Sequence, residues 1–345
     1  MPPRKTTLKQ IAQELGIHVT MVSKVLNDRM GTTGASQKTR EAILKKAKEL
    51  DYRPNALAVA LKGGRKSVIG VFLHHTGVPS SGITDQFLRG LSSRLEKTNT
   101  RMWLRFFVRD RDFLDAFDEQ LEREVDGLII AGISHPRLIE RLRAIRDAGL
   151  PVVTAFEAID PGIRSDLVSV GTDYVMQTYL ATRHLVELGC RRLGHLGSME
   201  SRHRGFTTAL KDAGLGAKAG LHFPCRGFDV NEGTVLAEKL LKRGLPVDGL
   251  VCQSDAQAFG VITHLAAHGV AIPSQIKVTG VDDSPLASIS PIPITSASSG
   301  MGEMGERSAD LLLRWIGGES VRSLSIQPKL MVRQSTAGAI RSRKE

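Results

Sequence analysis

The sequence predicts an α/β protein with a small all-α head at its N-terminus. Three short helical patterns follow one another within residues 1–50. Beyond residue 67, short β-rich runs alternate with helical stretches of about 10–15 residues, which is typical of βαβ units and parallel sheets. The excess of positive charge lies almost entirely in the first fifth of the chain.

The charge distribution indicates a partner for the head. Residues 1–66 hold 14 Lys and Arg against 5 Asp and Glu, a net charge of +9, whereas residues 67–345 hold 33 against 31. A basic segment joined to a nearly neutral body is typical of a protein that binds a polyanion such as nucleic acid. A basic face that is simply solvated is the alternative that charge alone leaves open.

Composition limits the classes of protein that fit. The 345 residues and the 41% hydrophobic fraction suit a globular chain of two or three domains. The start, MPPRKTTLKQ, has no apolar run after its basic residues, and no window resembles a membrane helix. Three widely spaced cysteines, Cys190, Cys225 and Cys252, form neither paired metal-ligand spacing nor a disulfide framework. We therefore expect a cytoplasmic protein that is not membrane-bound and that binds no metal ion or cofactor.

The head begins with two helices at a corner. Thr7 can cap a first helix, and Gly16 can end it. The apolar stripe of this helix is Leu8, Ile11, Ala12 and Leu15. A second helix, about 19–26, buries Val22 and Val25.

A third helix follows Ser36, which can serve as its N-cap. Its apolar stripe is Ile43, Leu44, Ala47 and Leu50. The three stripes can close one small core as a helix-turn-helix, in which the second helix lies in the major groove of DNA. A purely structural corner is the alternative to this interpretation.

Taken together, these segments resemble the lac/galactose repressor (LacI/GalR) family of transcriptional regulators. The matching residues are Thr7-Leu8-Lys9, Ile11-Ala12, Leu15-Gly16, Val22-Ser23-Lys24-Val25-Leu26-Asn27, Ser36, Lys38-Thr39-Arg40-Glu41, Tyr52-Arg53-Pro54-Asn55-Ala56-Leu57-Ala58 and Val332-Arg333-Gln334-Ser335-Thr336. The resemblance covers essentially the whole chain. It implies a DNA-binding head over 1–53, a hinge helix and linker over 54–66, and an effector-binding and dimerisation core over 67–345.

The resemblance also implies that the core is periplasmic-binding-protein-like, with two α/β lobes. The N-lobe would span about 67–168 and 298–327, and the C-lobe about 169–297 and 328–340. From the residues themselves, strands are predicted at 68–73, 102–108, 127–131, 151–156, 193–196, 249–252 and 277–281. Pockets in such sheets lie beyond the carboxyl ends of the strands.

The implied partners are a pseudo-palindromic double-stranded DNA operator, a small-molecule effector and a second copy of the chain. Val19, Thr20 and Met21 open the second helix, and Lys24 lies one turn beyond Thr20 on the same side. These side chains are candidates for base contacts, with core packing for Met21 and a phosphate contact for Lys24 as the alternatives. The candidate DNA-binding residues are Thr7, Leu8, His18, Val19, Thr20, Met21, Ser23, Lys24, Asn27, Tyr52, Asn55, Ala58, Leu61 and Lys62.

His18 and Leu61 differ from the other candidates in what the resemblance implies for them. His18 stands where the family usually has Ser or Thr as the N-cap of the recognition helix. Leu61 is implied to wedge into a central minor-groove step, which kinks the duplex, and a plain linker role is the alternative.

The effector pocket is predicted from the resemblance. Arg202, three residues before Gly205-Phe206, matches a ligand-clamping arginine, and Asp282 matches a hydroxyl-binding aspartate. An Arg fork, a carboxylate and an aromatic face suit a sugar or sugar acid better than a purine, which needs stacking. A surface salt bridge for Arg202 and a cap for Asp282 are the alternatives. The candidate effector-binding residues are His75, Ile83, Thr84, Glu157, Arg202, Phe228, Ser254, Asp255 and Asp282.

Other functions fit the sequence less well. A binding protein without a DNA role is disfavoured by the basic head, and an enzyme of sugar metabolism by the absence of G-x-S-x-G, H-E-x-x-H and P-loop motifs. Residues 194–206 do combine Gly, His and Ser, and His74-His75 ends a strand, but adjacent strand residues point to opposite faces. A regulator that depends on a nucleobase-type corepressor stays open. The operator sequence, the direction in which the effector changes DNA binding, and the choice of dimer or tetramer also stay open. The C-terminal segment GAIRSRKE has no leucine heptads, so we expect no tetramerising coiled coil.

Overall fold

The computed structural model describes residues 8–26, 35–50, 66–74, 82–109, 111–113, 124–132, 136–158, 166–216 and 220–337. The chain forms two compact units, Met1–Lys66 and Ser67–Glu345, which are called the head and the core below. None of the helices within the described ranges has the length and apolar character needed to cross a membrane.

The head contains three described helices, α1 (Leu8–Leu15), α2 (Val19–Leu26) and α3 (Gln37–Glu49). Their buried side chains form one cluster of Ile11, Ala12, Val22, Val25, Ile43 and Ala47. Gly16 adopts a left-handed φ of 64° and ends α1, because a residue with a Cβ is strained in that conformation. The Ser36 hydroxyl caps α3 by accepting from the Thr39 amide at 3.2 Å. The predicted head helices are therefore confirmed.

The apolar stripe of α3 differs from the prediction at one residue. Leu44 was expected to be buried, but its side chain is 48% exposed. Ile43 and Ala47 are buried one turn apart, and Leu50 packs against the same cluster. A residue that directly follows Ile43 is rotated by about 100° from this stripe, so it faces outward.

The core is built on two six-stranded sheets. The first contains β1 (Val68–His74), β2 (Arg101–Phe107), β3 (Leu128–Ala131), β4 (Val152–Ala158), β5 (Val168–Thr172) and β11 (Leu324–Ile326), in the order β11-β5-β4-β3-β1-β2. Every pairing in it is parallel. Along β1, Val71 and Leu73 belong to one apolar cluster and Phe72 to another, so the sheet is covered on both faces.

The second sheet contains β6 (Leu193–Leu196), β7 (Gly220–Phe223), β8 (Gly249–Cys252), β9 (Lys277–Asp282), β10 (Thr295–Ser298) and β12 (Leu330–Met331). Its order is β12-β10-β9-β8-β6-β7, and only β12 runs antiparallel to its neighbour. The core helices that the structure describes are α4 (Ile83–Glu96), α5 (Pro136–Asp147), α6 (Tyr174–Glu187), α7 (Glu200–Asp212), α8 (Val230–Lys242), α9 (Asp255–Ala267), α10 (Pro285–Ile289), α11 (Met301–Ile316) and α12 (Gln334–Ala337). The predicted α/β class with parallel sheets is confirmed.

The chain passes between the two lobes three times. The first passage follows Thr172 and not residue 168 as expected, because β5 pairs with β4 in the first sheet. The second follows Ser298, since β10 lies in the second sheet while α11 packs on the first. The third lies between Ile326 and Leu330.

Several helix pairs cross where one helix has a glycine. A Cβ on Gly205 of α7 would collide with the Val175 carbonyl oxygen of α6 and lie 3.0 Å from the Tyr179 nitrogen. The same backbone approach occurs at Gly90, Gly233, Gly260 and Gly305. These contacts bring the helices of each layer closer than a larger side chain allows.

Gly205→Ala is expected to destabilise the core by about 1–3 kcal/mol, because the added methyl meets rigid backbone. Urea unfolding measures this change. Gly216→Ala is the matched control, since nothing lies within 4 Å of its added Cβ, and we expect it to be nearly neutral. Equal effects of the two substitutions would contradict the close-packing account.

Candidate functional site

The recognition helix of the head is α2, and His18 lies at its N-cap. The His18 carbonyl accepts from the Met21 amide at 2.9 Å, as the first intrahelical bond requires. His18 Nδ1 lies 3.4 Å from the Thr20 amide nitrogen and 2.7 Å from Thr20 Oγ1. The imidazole therefore takes the place of the hydroxyl that usually caps this helix.

The side chains of α2 divide into outward and inward groups. Thr20 is exposed and Lys24 is half-buried. Val19 and Met21 are half-buried and pack against the apolar cluster of the head, as Leu8 does, while Ser23 is buried. Thr20 and Lys24 are thus the polar side chains of this set that reach the surface. The other candidates, Thr7, Asn27, Tyr52, Asn55, Ala58, Leu61 and Lys62, lie outside the described residues.

In the core, Arg202 and Asp282 come together at the carboxyl ends of the second sheet. Arg202 follows β6 on α7 and is 4% exposed. Its Nη2 donates to Asp282 Oδ1 at 3.3 Å, and its Nη1 donates to the Gln253 carbonyl. The guanidinium carbon lies 5.0 Å from the centre of the Tyr174 ring, which is a cation–π arrangement.

Asp282 is held on several sides. The Ser299 hydroxyl donates to Asp282 Oδ1 at 2.6 Å, and Gln177 donates to Ser299 Oγ at 2.8 Å. Asp282 and Asp283 have left-handed φ values of 103° and 51°, which non-glycine residues rarely adopt. Arg333 donates to Asp283 Oδ1 at 2.7 Å. Such backbone strain persists only where surrounding contacts fix it, and it is concentrated at functional sites.

A cavity of about 540 Å³ opens beside this loop, between the two lobes of the core. The first lobe supplies Gln86, Arg89 and Gly90 of α4 to its lining, and the second supplies Asp282 and Asp283. The lobes approach each other closely nearby, because a Cβ on Gly82 would lie 2.7 Å from Pro285 Cγ. Ile83 and Thr84 open α4 at this point, and Ile83 packs against the core of the first lobe.

Asp255 supports the loop from behind rather than lining the cavity. It is 1% exposed, and its carboxylate accepts from Ser296 Oγ at 2.6 Å and from the Ser284 amide at 2.7 Å. Ser296 Oγ also accepts from the Asp283 amide at 2.9 Å. Burial raises the pKa of Asp255 to about 7, and the nearby Asp282 carboxylate acts in the same direction.

Stability should depend on pH through Asp255. Because the folded pKa lies above the ordinary value of 3.8, the contribution of this carboxyl is fully present below about pH 4 and is lost as pH rises towards 7. The difference between the folded and the ordinary pKa of Asp255 corresponds to roughly 4 kcal/mol of unfolding free energy. Asp255→Asn removes the titration, so its free energy of unfolding relative to the parent should rise between pH 4 and 7 and then level off. Urea unfolding at several pH values measures the difference, and a constant difference would contradict this account.

Ser254 and Phe228 form a second contact at this edge. Ser254 Oγ caps α9 by accepting from the Gln257 amide at 3.1 Å, and it donates to the Phe228 carbonyl at 2.6 Å. The Phe228 side chain is half-buried. His75 and the side chain of Glu157 lie outside the described parts of the structure, so their place relative to the cavity is untested.

Sequence reasoning missed several residues that complete the arrangement. Tyr174, Gln253, Ser299 and Gln177 contact Arg202 or the Asp282 network. They follow strands at the edge where ligands of open α/β sheets bind, which is the signal that could have found them. Three histidines, His195, His203 and His222, also gather on the second lobe.

The comparisons with known proteins agree with this architecture. The family described as bacterial regulatory proteins, lacI family, matches residues 7–55, and the periplasmic binding protein-like domain matches residues 182–336. The HTH-type transcriptional regulator DegA of Bacillus subtilis (strain 168) is 26% identical, over 96% of this chain and 98% of DegA.

Two solved structures are similar over nearly the whole chain. The Lac repressor dimer bound to operator and the anti-inducer ONPF is 22% identical, with a TM-score of 0.79 over 96% of this chain and 99% of that one. The cellobiose complex of the transcriptional regulator CelR is 25% identical, with a TM-score of 0.65 over 96% and 100%. The chain thus combines a head that matches the lacI family of bacterial regulatory proteins with a core that matches the periplasmic binding protein-like domain, and its relatives align with it end to end.

Proposed function

We propose that the protein is a sequence-specific DNA-binding transcriptional regulator, acting as a repressor, whose operator affinity is controlled by a small molecule held between the core lobes. The observation that carries the proposal is that one chain combines a basic helix-turn-helix head with a two-lobed core whose edge presents the Arg202–Asp282 pair. The head supplies DNA readout and the core supplies control, as the resemblance implies. The protein would act in the cytoplasm, where bacterial operator DNA lies.

We propose a sugar or sugar acid as the effector. An arginine fork and a carboxylate suit vicinal hydroxyls or an acidic group. The Arg202 guanidinium covers one face of the Tyr174 ring, so that face is not available to stack on a purine. The regulator CelR, which is similar over the whole chain, was solved as a cellobiose complex. The relatives described above are regulators rather than enzymes, and we assign no catalytic step to this chain.

We propose that the protein binds its operator as a homodimer. The edge strand β2 exposes Leu104, Phe106 and, just beyond it, Val108, with exposed fractions of 37%, 51% and 65%. An exposed apolar edge strand of this kind is usually covered by a partner chain. A second copy of the chain would give the two-fold symmetry that matches a pseudo-palindromic DNA site. Sedimentation velocity of the full-length protein tests this proposal, and a monomer at micromolar concentration would contradict it.

The DNA-binding role is tested by capture of DNA from the source organism. Full-length protein is mixed with fragmented genomic DNA and an excess of random competitor, and the bound fragments are sequenced. We expect enrichment of fragments that share a two-fold symmetric site, and protection of both half-sites from nuclease. Enrichment without a common site would contradict the proposal.

A further inference from the structure

We propose that His195, His203 and His222 form a binding site for a divalent transition-metal ion of the zinc class. Each histidine offers one ring nitrogen, and the three nitrogens all lie within 4.8 Å of one another. The cluster lies on the second lobe and shares no residue with the Arg202–Asp282 pair. Its ligand is therefore separate from the proposed effector.

The fold places the three rings together from different elements. His195 on β6 and His222 on β7 are register partners in adjacent parallel strands, so their side chains project from the same face of the sheet. His203 projects from the first turns of α7, which follows β6 directly. The His203 and His222 rings are 4.2 Å apart between centroids.

The spacing between two of the nitrogens fits a shared metal ion. His195 Nδ1 and His203 Nδ1 are 3.3 Å apart. Two imidazole nitrogens bound at about 2.0–2.1 Å to a tetrahedral zinc ion lie about 3.3 Å from each other. Small movements of the half-buried His203 and the exposed His222 would complete the coordination.

The protein itself leaves the central ring poorly satisfied. His195 is 0% exposed, and its Nε2 has no hydrogen-bond partner among the described residues. Its Nδ1 shares a hydrogen bond with His203 Nδ1, in which either ring can be the donor. A buried polar atom in this condition is costly and uncommon. An ion between the Nδ1 atoms of His195 and His203 would replace their hydrogen bond with two coordination bonds, and His195 would then carry its proton on Nε2.

The hydrogen bond of the third ring, His222, determines which of its nitrogens can bind a metal ion. His222 Nε2 lies 2.8 Å from the Gly197 carbonyl oxygen. A carbonyl can only accept, so His222 carries its proton on Nε2 and leaves Nδ1 with a free lone pair. Metal-bound histidines typically donate their other N–H to a carbonyl or carboxylate in this way.

The ligand set selects the class of ion. Three imidazoles without a carboxylate suit Zn²⁺, Co²⁺, Ni²⁺ or Cu²⁺ and are poor ligands for Mg²⁺ or Ca²⁺. Because His222 is exposed, solvent can reach the cluster and fill a fourth position. A bound ion would join β6, β7 and the start of α7, so it should raise the melting temperature of the core.

The experiment uses tag-free, full-length protein that has been treated with chelator and then titrated with Zn²⁺ in equilibrium dialysis. We expect one tightly bound zinc ion per chain and a higher melting temperature. In H203Q and H222Q the affinity should fall at least about tenfold, and the thermal shift should shrink accordingly. Co²⁺ should give visible absorption bands that Zn²⁺ abolishes.

The matched control is the double variant H264Q/H268Q. His264 lies in the last turn of α9 and His268 is its C-cap residue; their ring centroids are 4.4 Å apart, so they are the other close histidine pair in the described residues. Their replacement should leave the zinc affinity unchanged. The proposal fails if the parent binds no more zinc than H222Q, or if only the control variant loses it. Since His222 is exposed, H222Q keeps the comparison valid even if replacement of a more buried ring disturbs folding.

Discussion

Replacing Arg202 with alanine is expected to weaken effector binding by about 100-fold or more while operator DNA is still bound. Arg202 is buried and donates to Asp282 through Nη2 at 3.3 Å, so its loss removes a charged donor and leaves the carboxylate without its positively charged partner. Calorimetric titration with the sugar found by a thermal-shift screen of pentoses, hexoses, disaccharides and hexuronic acids measures the change.

Two further variants make this prediction specific. Asp282→Asn keeps the shape of the side chain and can still accept from Ser299, but it lacks the charge, so it should also lose affinity. Arg94→Ala removes another partly buried arginine–aspartate pair, with Asp310, on the first lobe, and should bind the sugar normally. Near-parental affinity in both Arg202→Ala and Asp282→Asn would contradict the pocket assignment.

Replacing Lys24 with alanine is expected to cost about 1–3 kcal/mol in operator binding and to relax the preference at one base position. Lys24 lies in the last turn of α2, one turn beyond the exposed Thr20, where a side chain can reach guanine O6 and N7. Fluorescence anisotropy with the operator and with single-base variants of it measures both effects.

Lys48→Ala is the control for this prediction, because it removes the same charge from an exposed position on α3. It should weaken binding to operator and to random DNA by the same factor, as loss of a phosphate contact would. If Lys24→Ala also affects both DNAs equally, Lys24 contacts phosphate and does not read a base.

Much of the fold could be predicted from sequence because its main strands are short, continuous apolar runs. All seven predicted strands are present, from β1 at Val68–His74 to β9 at Lys277–Asp282. The strands that were missed include β5 (VSVGT) and β10 (TSAS), which are short and polar or small in composition. Such segments become strands only because neighbouring strands provide hydrogen-bond partners, and a single sequence does not carry that information.

The candidate DNA-binding and effector sites could likewise be predicted only in part. Helical spacing predicted the corner of the head, but Leu44 turned outward, because only the packed helices decide which side of a stripe is covered. Arg202 and Asp282 were paired only through the family resemblance, since 80 residues separate them. The histidine cluster was missed for a related reason. It depends on the register of β6 with β7, and β7 was not predicted.

The central claim is that effector binding in the core controls operator binding by the head. Its most direct test is the operator affinity of the full-length protein, measured by fluorescence anisotropy with and without a saturating amount of the sugar identified above. We expect the dissociation constant to change by about 5–150-fold, the usual range of coupling between two sites, and to stay constant in Arg202→Ala. An unchanged dissociation constant in the parent protein, at a sugar concentration that calorimetry shows to be saturating, would contradict the account.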